Sequence, residues 1–431
     1  MRRKNQIFKR RSRFRYLSVL VAVLLVVSLS VFMDAPTAEG YSTRIGGDDR
    51  YETSALVARD IYYDADTVII ARGDQAGSFA DGLASSVLSG VLEAPVLLTE
   101  PSTLPSSIKR TIKDLGATRA IVLGGKEAVS NSVAAALRDL GLTVNRIEGK
   151  DRYETAAKIA READSEGYIK SYAFIVNGFA TADSLVAAPA AFRDNAVILQ
   201  VAKNSVPNVT KEALKDLGIS QVYIIGGTDV VSNTVSNELA KLYTVSRYGG
   251  ADRYETSVLV AKKLFPGVDR MVLAGGPDAH LVDSIGAGMF GRPILYVKNN
   301  EIPRVVKNYL EDTVTADNDL IIIGGTAAVG RSVERAADEI AEDATDSEGG
   351  SGDSTTAIVN TAAAFKRAIE NNNIRTINLD DDITASVTAT RSGTTNLTIN
   401  FKGYYLTGNL EITANSIKTL KLEGRRLNAI D

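Results

Sequence analysis

The sequence predicts an α/β protein of three tandem parallel-sheet modules, followed by a small C-terminal β-rich, β-solenoid-like region. Two observations carry this: a motif repeated three times at domain-sized spacing, and short apolar strands alternating with helices inside each copy. The string RIGGDDRYETS begins at Arg44, RIEGKDRYETA at Arg146 and RYGGADRYETS at Arg247, spacings of 102 and 101 residues. Other landmarks keep that interval. DGLASS, DSLVAA and DSIGAG begin at Asp81, Asp183 and Asp283, the apolar runs APVLLTE, NAVILQV and RPILYVK follow, and then IVLGGKEAVS, YIIGGTDVVS and IIIGGTAAVG. A unit of this length is a domain, not a solenoid repeat of roughly 20–45 residues. The expected boundaries are 41–142, 143–243 and 244–341.

The first copy shows the elements in order. Asp49 to about Tyr63 reads as a helix, Val68–Ile70 as a strand and 81–92 as a small-residue helix. Val96–Leu98 is a strand, 105–115 a helix ending at Gly116, Ile121–Leu123 a strand closed by Gly124-Gly125, and 129–140 a helix ending at Gly141. Such alternation predicts βαβ units and a parallel sheet covered on both faces. After Ala341 the acidic, Gly- and Ser-rich stretch 342–356 reads as a flexible linker. Residues 357–372 read as one amphipathic helix, followed by strands at 376–379, 397–401, 410–413 and 420–422. A helix and then short strands resemble the cap and first coils of a parallel β-helix; a small β-sandwich is the alternative.

Residues 1–15 carry eight Lys or Arg and no acid, residues 17–33 are apolar, and Ala38-Glu39-Gly40 puts small residues two apart. That is the pattern of a secretory signal peptide over 1–40. A single membrane anchor is the alternative, because seventeen apolar residues are the lower edge of a span. Either way the rest of the chain lies outside the cytoplasm, and the membrane is met only through this segment. Net charge is −3 for the whole chain; without 1–40 there remain 41 cationic and 50 acidic side chains, a balance of −9. That acidity argues against nucleic acid as a partner.

The 431 residues include no Cys, no Trp and one histidine, His280. Disulfides, iron–sulfur clusters, thiol catalysis and a zinc centre of several His or Cys ligands are excluded. A Ser-His-Asp triad would rest on His280 alone, and a lone His is more often structural. No catalytic residue, metal site or cofactor is expected. Asp380-Asp381-Asp382 could hold calcium in a lyase, but a turn between strands is the simpler reading.

Asp49, Asp151 and Asp252, each followed three residues later by Glu52, Glu154 or Glu255, form a capping-box pattern that starts a helix. Capping does not explain Arg50, Arg152 and Arg253, nor the series Arg44, Arg146 and Arg247. An Arg in the first helical turn opposes the helix dipole, so its recurrence points to a partner, either a carboxylate across a repeat interface or a bound anion. The Gly-Gly pairs lack the third glycine of a dinucleotide fingerprint and read as tight strand-to-helix turns. Asp81, Asp183 and Asp283 precede helices and could be N-caps. In open α/β sheets ligands bind beyond the carboxyl ends of the strands, where Arg72, Thr99 and Lys298 fall.

The recurring R-x-x-G-x-D-R-Y-E-T with a PVLL or PILY strand, behind a signal peptide, resembles the type 2 cell-wall-binding repeat family of Gram-positive surface proteins. The resemblance covers roughly 300 of the 431 residues. It implies Rossmann-like modules around a pseudo-threefold axis, non-covalent anchoring to an anionic, teichoic-acid-like secondary wall polymer, and association with other surface-layer proteins. The family's Pro-Ile-Leu-Leu contact motif maps onto Pro95, Leu97 and Leu98, onto Ile198 and Leu199, and onto Pro293, Ile294 and Leu295. Ala196 and Tyr296 depart from it. A non-catalytic anchored protein is therefore expected, with a wall amidase or its modifier as the alternative. Residues 357–431 occupy the place of the family's variable region.

Overall fold

The computed structural model describes residues 42–74, 81–268, 270–315 and 319–348, and in the C-terminal region 356–359, 362–371, 374–379, 387–391, 396–401, 410–414 and 420–423. The expected signal peptide lies outside the described residues. Among the described residues no helix is long and apolar enough to cross a membrane.

Twelve strands build three four-stranded parallel sheets. They are β1 (Thr43–Ile45), β2 (Thr67–Arg72), β3 (Val96–Thr99), β4 (Arg119–Leu123), β5 (Thr143–Ile147), β6 (Tyr172–Asn177), β7 (Val197–Val201), β8 (Gln221–Ile225), β9 (Thr244–Tyr248), β10 (Arg270–Gly275), β11 (Ile294–Val297) and β12 (Asp319–Ile323). The strand orders are β3-β2-β4-β5, β7-β6-β8-β9 and β11-β10-β12-β1.

These orders assign one strand of each repeat to a different sheet. The strand that opens each repeat motif belongs to the preceding repeat's sheet: β5 pairs with β4 and β9 with β8, while the N-terminal β1 pairs with β12. The register is the same each time, with Arg146 opposite Val122, Arg247 opposite Ile224 and Arg44 opposite Ile322. The sequence repeat and the folded module are thus offset by one strand.

The apolar strands read as continuous runs because both faces are buried. In the first sheet Ile69, Ala71, Leu98 and Ile121 join a cluster shared by all three repeats, while Val68, Ile70, Leu97 and Val122 join a separate outer one. The third sheet divides the same way, with Tyr296 and Ile323 inward and Leu295 and Ile322 outward. Successive side chains alternate faces, so one strand feeds two cores. Each fully buried Leu or Ile contributes roughly 1.5–3 kcal/mol.

The small-residue helices meet between the repeats. Ser85–Leu92 touches the capped helix Arg152–Glu166 and the helix Ala188–Asp194; Thr181–Val186 touches the capped helix Arg253–Leu264; Asp283–Ala287 touches the capped helix Arg50–Ile61. These contacts form a closed cycle. Small side chains are required there: a Cβ on Gly90 would come within 2.4 Å of the Phe192 carbonyl oxygen.

The expected linker is partly helical. The helix Arg331–Glu348 runs through its first residues, because Val333, Ala337, Ile340, Ala341 and Ala344 form one buried stripe at helical spacing. The helix expected over 357–372 is instead strand β13 (Thr356–Val359) followed by the helix Ala362–Glu370. The β-branched end of that stretch finds a parallel partner in β14 (Thr376–Leu379). With β15 (Val387–Arg391), β16 (Leu397–Asn400), β17 (Leu410–Ala414) and β18 (Leu420–Glu423), the region forms two small parallel sheets, β13-β14-β16-β18 and β15-β17. Phe365, Ile377, Leu379, Leu397 and Ile399 fill its separate core.

Candidate functional site

The carboxyl ends of the parallel strands, the Gly-Gly turns and the starts of the capped helices converge at three equivalent junctions. At each, Asp49, Asp151 or Asp252 has extended backbone and accepts from the amide of Glu52, Glu154 or Glu255 at 2.7, 2.9 and 2.8 Å. The glutamates reach one residue further back than a simple capping box. They accept from the amides of Asp48, Lys150 and Ala251 at 2.9, 3.0 and 2.7 Å. Thr53, Thr155 and Thr256, which the motif analysis passed over, accept from the amides of Gly47, Gly149 and Gly250.

Both arginine series find partners. Arg44, Arg146 and Arg247 donate to the carbonyls of Gly324, Gly124 and Gly226 at 2.8, 2.7 and 2.9 Å. They fasten the exchanged strand to the neighbouring turn. Arg50 donates to the Gly73 and Asp74 carbonyls at 3.1 and 3.0 Å. Arg152 donates to the Gly178 carbonyl, and Arg253 to the Gly276 carbonyl and to Asp278, the latter at 2.6 Å. Their nearest partners are therefore carbonyls of their own repeat, a possibility the motif did not suggest. Their charges also act across the junction on Asp283, Asp81 and Asp183 respectively.

Those three aspartates do not cap helices; none makes a side-chain cap bond. Each carboxylate instead packs under a Gly-Gly turn. The first glycine has φ of +90° at Gly124, +112° at Gly226 and +105° at Gly324, and a Cβ there would meet Asp81, Asp183 or Asp283. Burial pushes all three acids above the ordinary carboxylate range. Thr155 and Arg152 pull Asp81 back, and Thr256 and Arg253 pull Asp183 back. Asp283 is raised to about 6, its burial opposed by Arg50 and reinforced by Asp49, and its Oδ1 has no hydrogen-bond partner among the described residues. His280 lies half-buried nearby, lowered by burial and by Arg50.

The strand motif is placed differently from what the family resemblance implied. Pro95, Leu97, Leu98, Ile198, Leu199, Pro293, Ile294 and Leu295 are all buried. They are core residues of β3, β7 and β11 or their leads, with no side-chain surface for a polymer. The edge of β3 is sealed too: the Leu98 amide donates to the Ser54 hydroxyl at 3.1 Å. Arg72 is clamped by Asp74, Nε to Oδ1 at 2.6 Å, and Lys298 is exposed but paired with Glu301. Among the described residues, the junctions leave the starts of the capped helices exposed. One opening is a cleft of about 820 Å³ between the second and third repeats, lined by Phe179, Asp183, Asp229, Arg247, Asp252 and Arg253 among others.

A family model described as cell wall binding domain 2 matches residues 44–134, 146–236 and 247–334. A second, described as a putative pectate lyase-like adhesive domain, matches residues 356–429. Among curated proteins the chain is similar to the N-acetylmuramoyl-L-alanine amidase LytC of Bacillus subtilis, 31% identical over 74% of this chain and 62% of that protein. It is also similar to the amidase enhancer of the same organism, 34% identical over 69% of this chain and 40% of that protein. The chain thus spans less than two thirds of either relative. Among solved structures, Cwp6 from Clostridium difficile aligns with a TM-score of 0.65 and 26% identity, over 75% of this chain and 52% of that one. Cwp8 from the same organism aligns with a TM-score of 0.60 and 25% identity, over 70% and 52%.

Proposed function

The chain belongs to the cell wall binding domain 2 family, and on that premise we propose that it is a non-catalytic Gram-positive surface protein, held on the wall by an anionic secondary polymer. Wall binding through the repeats and a place at the cell surface follow from the family. The observation that carries the finer reading is the closed cycle of three equivalent junctions, which supports a pseudo-threefold anchor. Three linked weak sites on a repetitive polymer turn later contacts into intramolecular ones and raise avidity without new chemistry. The single histidine and absent cysteine support a non-catalytic role, because a His-rich zinc centre cannot be assembled from them.

The C-terminal region supports an adhesive role, in keeping with its family match. Its parallel pairings join Thr356 to Thr376, Thr376 to Thr398 and Thr398 to Lys421, nearly constant offsets that support stacked coils. The likeness to an amidase and to an amidase enhancer favours a second reading, a modifier acting beside a wall hydrolase.

The test is co-sedimentation of the protein with purified Gram-positive walls, intact or stripped of anionic polymer by acid. The anchor reading expects binding that is lost on stripping. Equal binding would point to peptidoglycan. Release of soluble wall fragments, alone or with an added amidase, would favour the second reading.

A further inference from the structure

The junctions share a backbone plan but not a surface. After the central strand the first repeat has Gly73-Asp74 and the third has Gly276-Pro277, whereas the second has Gly178-Phe179. Phe179 is 69% exposed, and one face of its ring is covered by the Arg152 guanidinium at 3.9 Å from the centroid. That cation–π contact fixes the ring and leaves its remaining surface at the large cleft between the second and third repeats. An exposed ring at a cleft presents an apolar face on which a ligand with its own apolar face can pack.

The charges of the cleft restrict what that ligand is. Four acids, the exposed or partly exposed Asp229, Asp252 and Asp278 and the buried Asp183, line it against two guanidiniums, Arg247 and Arg253, with a third, Arg152, on the Phe179 ring. Arg253 is already bound to Asp278 and Gly276. Arg247 holds the Gly226 carbonyl, and its buried Nη2 has no partner among the described residues. A phosphate-bearing segment would enter this cleft against its net negative charge. A neutral sugar ring would not: its hydroxyls are donors to carboxylates, and its C–H face packs on an aromatic ring. The volume, about 820 Å³, suits a few sugar residues, within the range of ordinary ligand pockets.

We propose that the cleft between the second and third repeats is a saccharide-binding subsite, with Phe179 as its stacking platform, that reads the neutral sugars of the wall glycan. This rests on the wall-binding reading and deepens it: the junctions are not interchangeable, and this one recognises sugar rather than phosphate.

The absence of tryptophan makes the test direct. In the full chain Phe179→Trp creates the sole indole, a reporter at the platform. The sole-indole variant is added to purified Gram-positive walls and followed by emission and iodide quenching, and Phe179→Ala is compared with wild type by sedimentation. Tyr63→Ala, at an exposed aromatic of the first repeat, is the control. The soluble probes are the neutral saccharides released from the same walls by hydrofluoric acid, and poly(glycerol phosphate). The expected result is protection of the indole on wall binding, the same change with the neutral saccharides, and about a tenfold weaker wall affinity for Phe179→Ala, with Tyr63→Ala unchanged. An unchanged indole on a chain that still sediments with walls overturns the subsite and leaves the anchor standing. So does a response to poly(glycerol phosphate) alone, or no response to the neutral fraction. Failure of wild type to sediment at all removes both readings.

Discussion

The junction that closes the ring differs from the junction between the second and third repeats in one covalent respect. The chain runs directly through β9 into the third repeat's capped helix, whereas β1 reaches β12 with no peptide link to it. The ring-closing junction carries a side-chain clasp in compensation. Arg44 pairs with Glu334 at 3.1 Å, and Ser42 donates from its amide and its hydroxyl to Asp338. Ten residues after the first turn glycine, Glu334 is replaced by Ser236 at the second–third junction, where the Arg247 Nη2 has no partner among the described residues. One motif therefore sets the same backbone twice, and the neighbouring helix decides how its arginine is used.

The largest effect tests what the two junctions share. Gly324→Ala and Gly226→Ala both place a Cβ at positive φ and against a buried aspartate, within 2.9 Å of its Oδ2 in each case. Each is expected to cost about 4 kcal/mol from backbone strain and overpacking combined. Gly116→Ala, also at positive φ but with nothing within 4 Å, should cost about 1 kcal/mol. Chemical denaturation checks all three, and a marked inequality between Gly324 and Gly226 would break the comparison.

The next effect tests a difference. Asp283 has a folded pKa of about 6, above the ordinary aspartate range, because it is buried. The folded state then binds that proton more tightly than the unfolded state. Stability from this group is greatest in acid and falls as pH rises toward 6. Asp283→Asn, which removes the charge, should raise stability at neutral pH by up to ~3 kcal/mol and change it little at pH 4. Thermal melts at the two pH values measure this. Asp183→Asn should gain less, because Thr256 and Arg253 already offset its burial.

The clasp itself comes third. Arg44→Ala removes a bidentate carboxylate contact and a carbonyl bond and should cost about 2–3 kcal/mol, whereas Arg247→Ala, with the carbonyl bond alone, should cost about 1 kcal/mol. Equal losses would show that Glu334 contributes nothing to closure.

Much of this was legible in advance. The three capped helices, the Gly-Gly turns and the central strands were visible because local chemistry sets them: an acid in the cap, glycine at positive φ, and a run of β-branched residues. β1, β5 and β9 were missed because TRI, TVNRI and TVSRY are half-exposed edge strands with polar side chains, and no local rule says which sheet a strand joins. The arginines and the aspartates were noticed for recurring, yet their partners, carbonyls of a turn or loop distant in sequence and charges across the junction, are brought to them only by the fold. Phe179 was overlooked although comparison of the copies contains the signal, an aromatic where the others have Asp and Pro. The strand motif is the opposite case. Its residues are buried, as the run of apolar letters alone suggests; the polymer-contact role came from the family resemblance and not from the residues.

The smallest effect concerns the residue where the third strand departs from its copies. Tyr296 replaces Leu98 and Leu199, and it is fully buried on the inner face. Its hydroxyl donates to the Ala182 carbonyl of the second repeat at 2.9 Å, crossing the junction. A buried phenol needs a partner, and this one finds it on the helix beside Asp183. Tyr296→Phe keeps the ring and removes only that bond, so it should cost about 1 kcal/mol. Tyr296→Leu restores the residue of the other copies but opens a void beside the helix, and should cost more. If the two substitutions prove equally harmless, the tyrosine contributes nothing across the second–third junction. If Phe is mild and Leu severe, shape rather than the hydrogen bond distinguishes this junction's core.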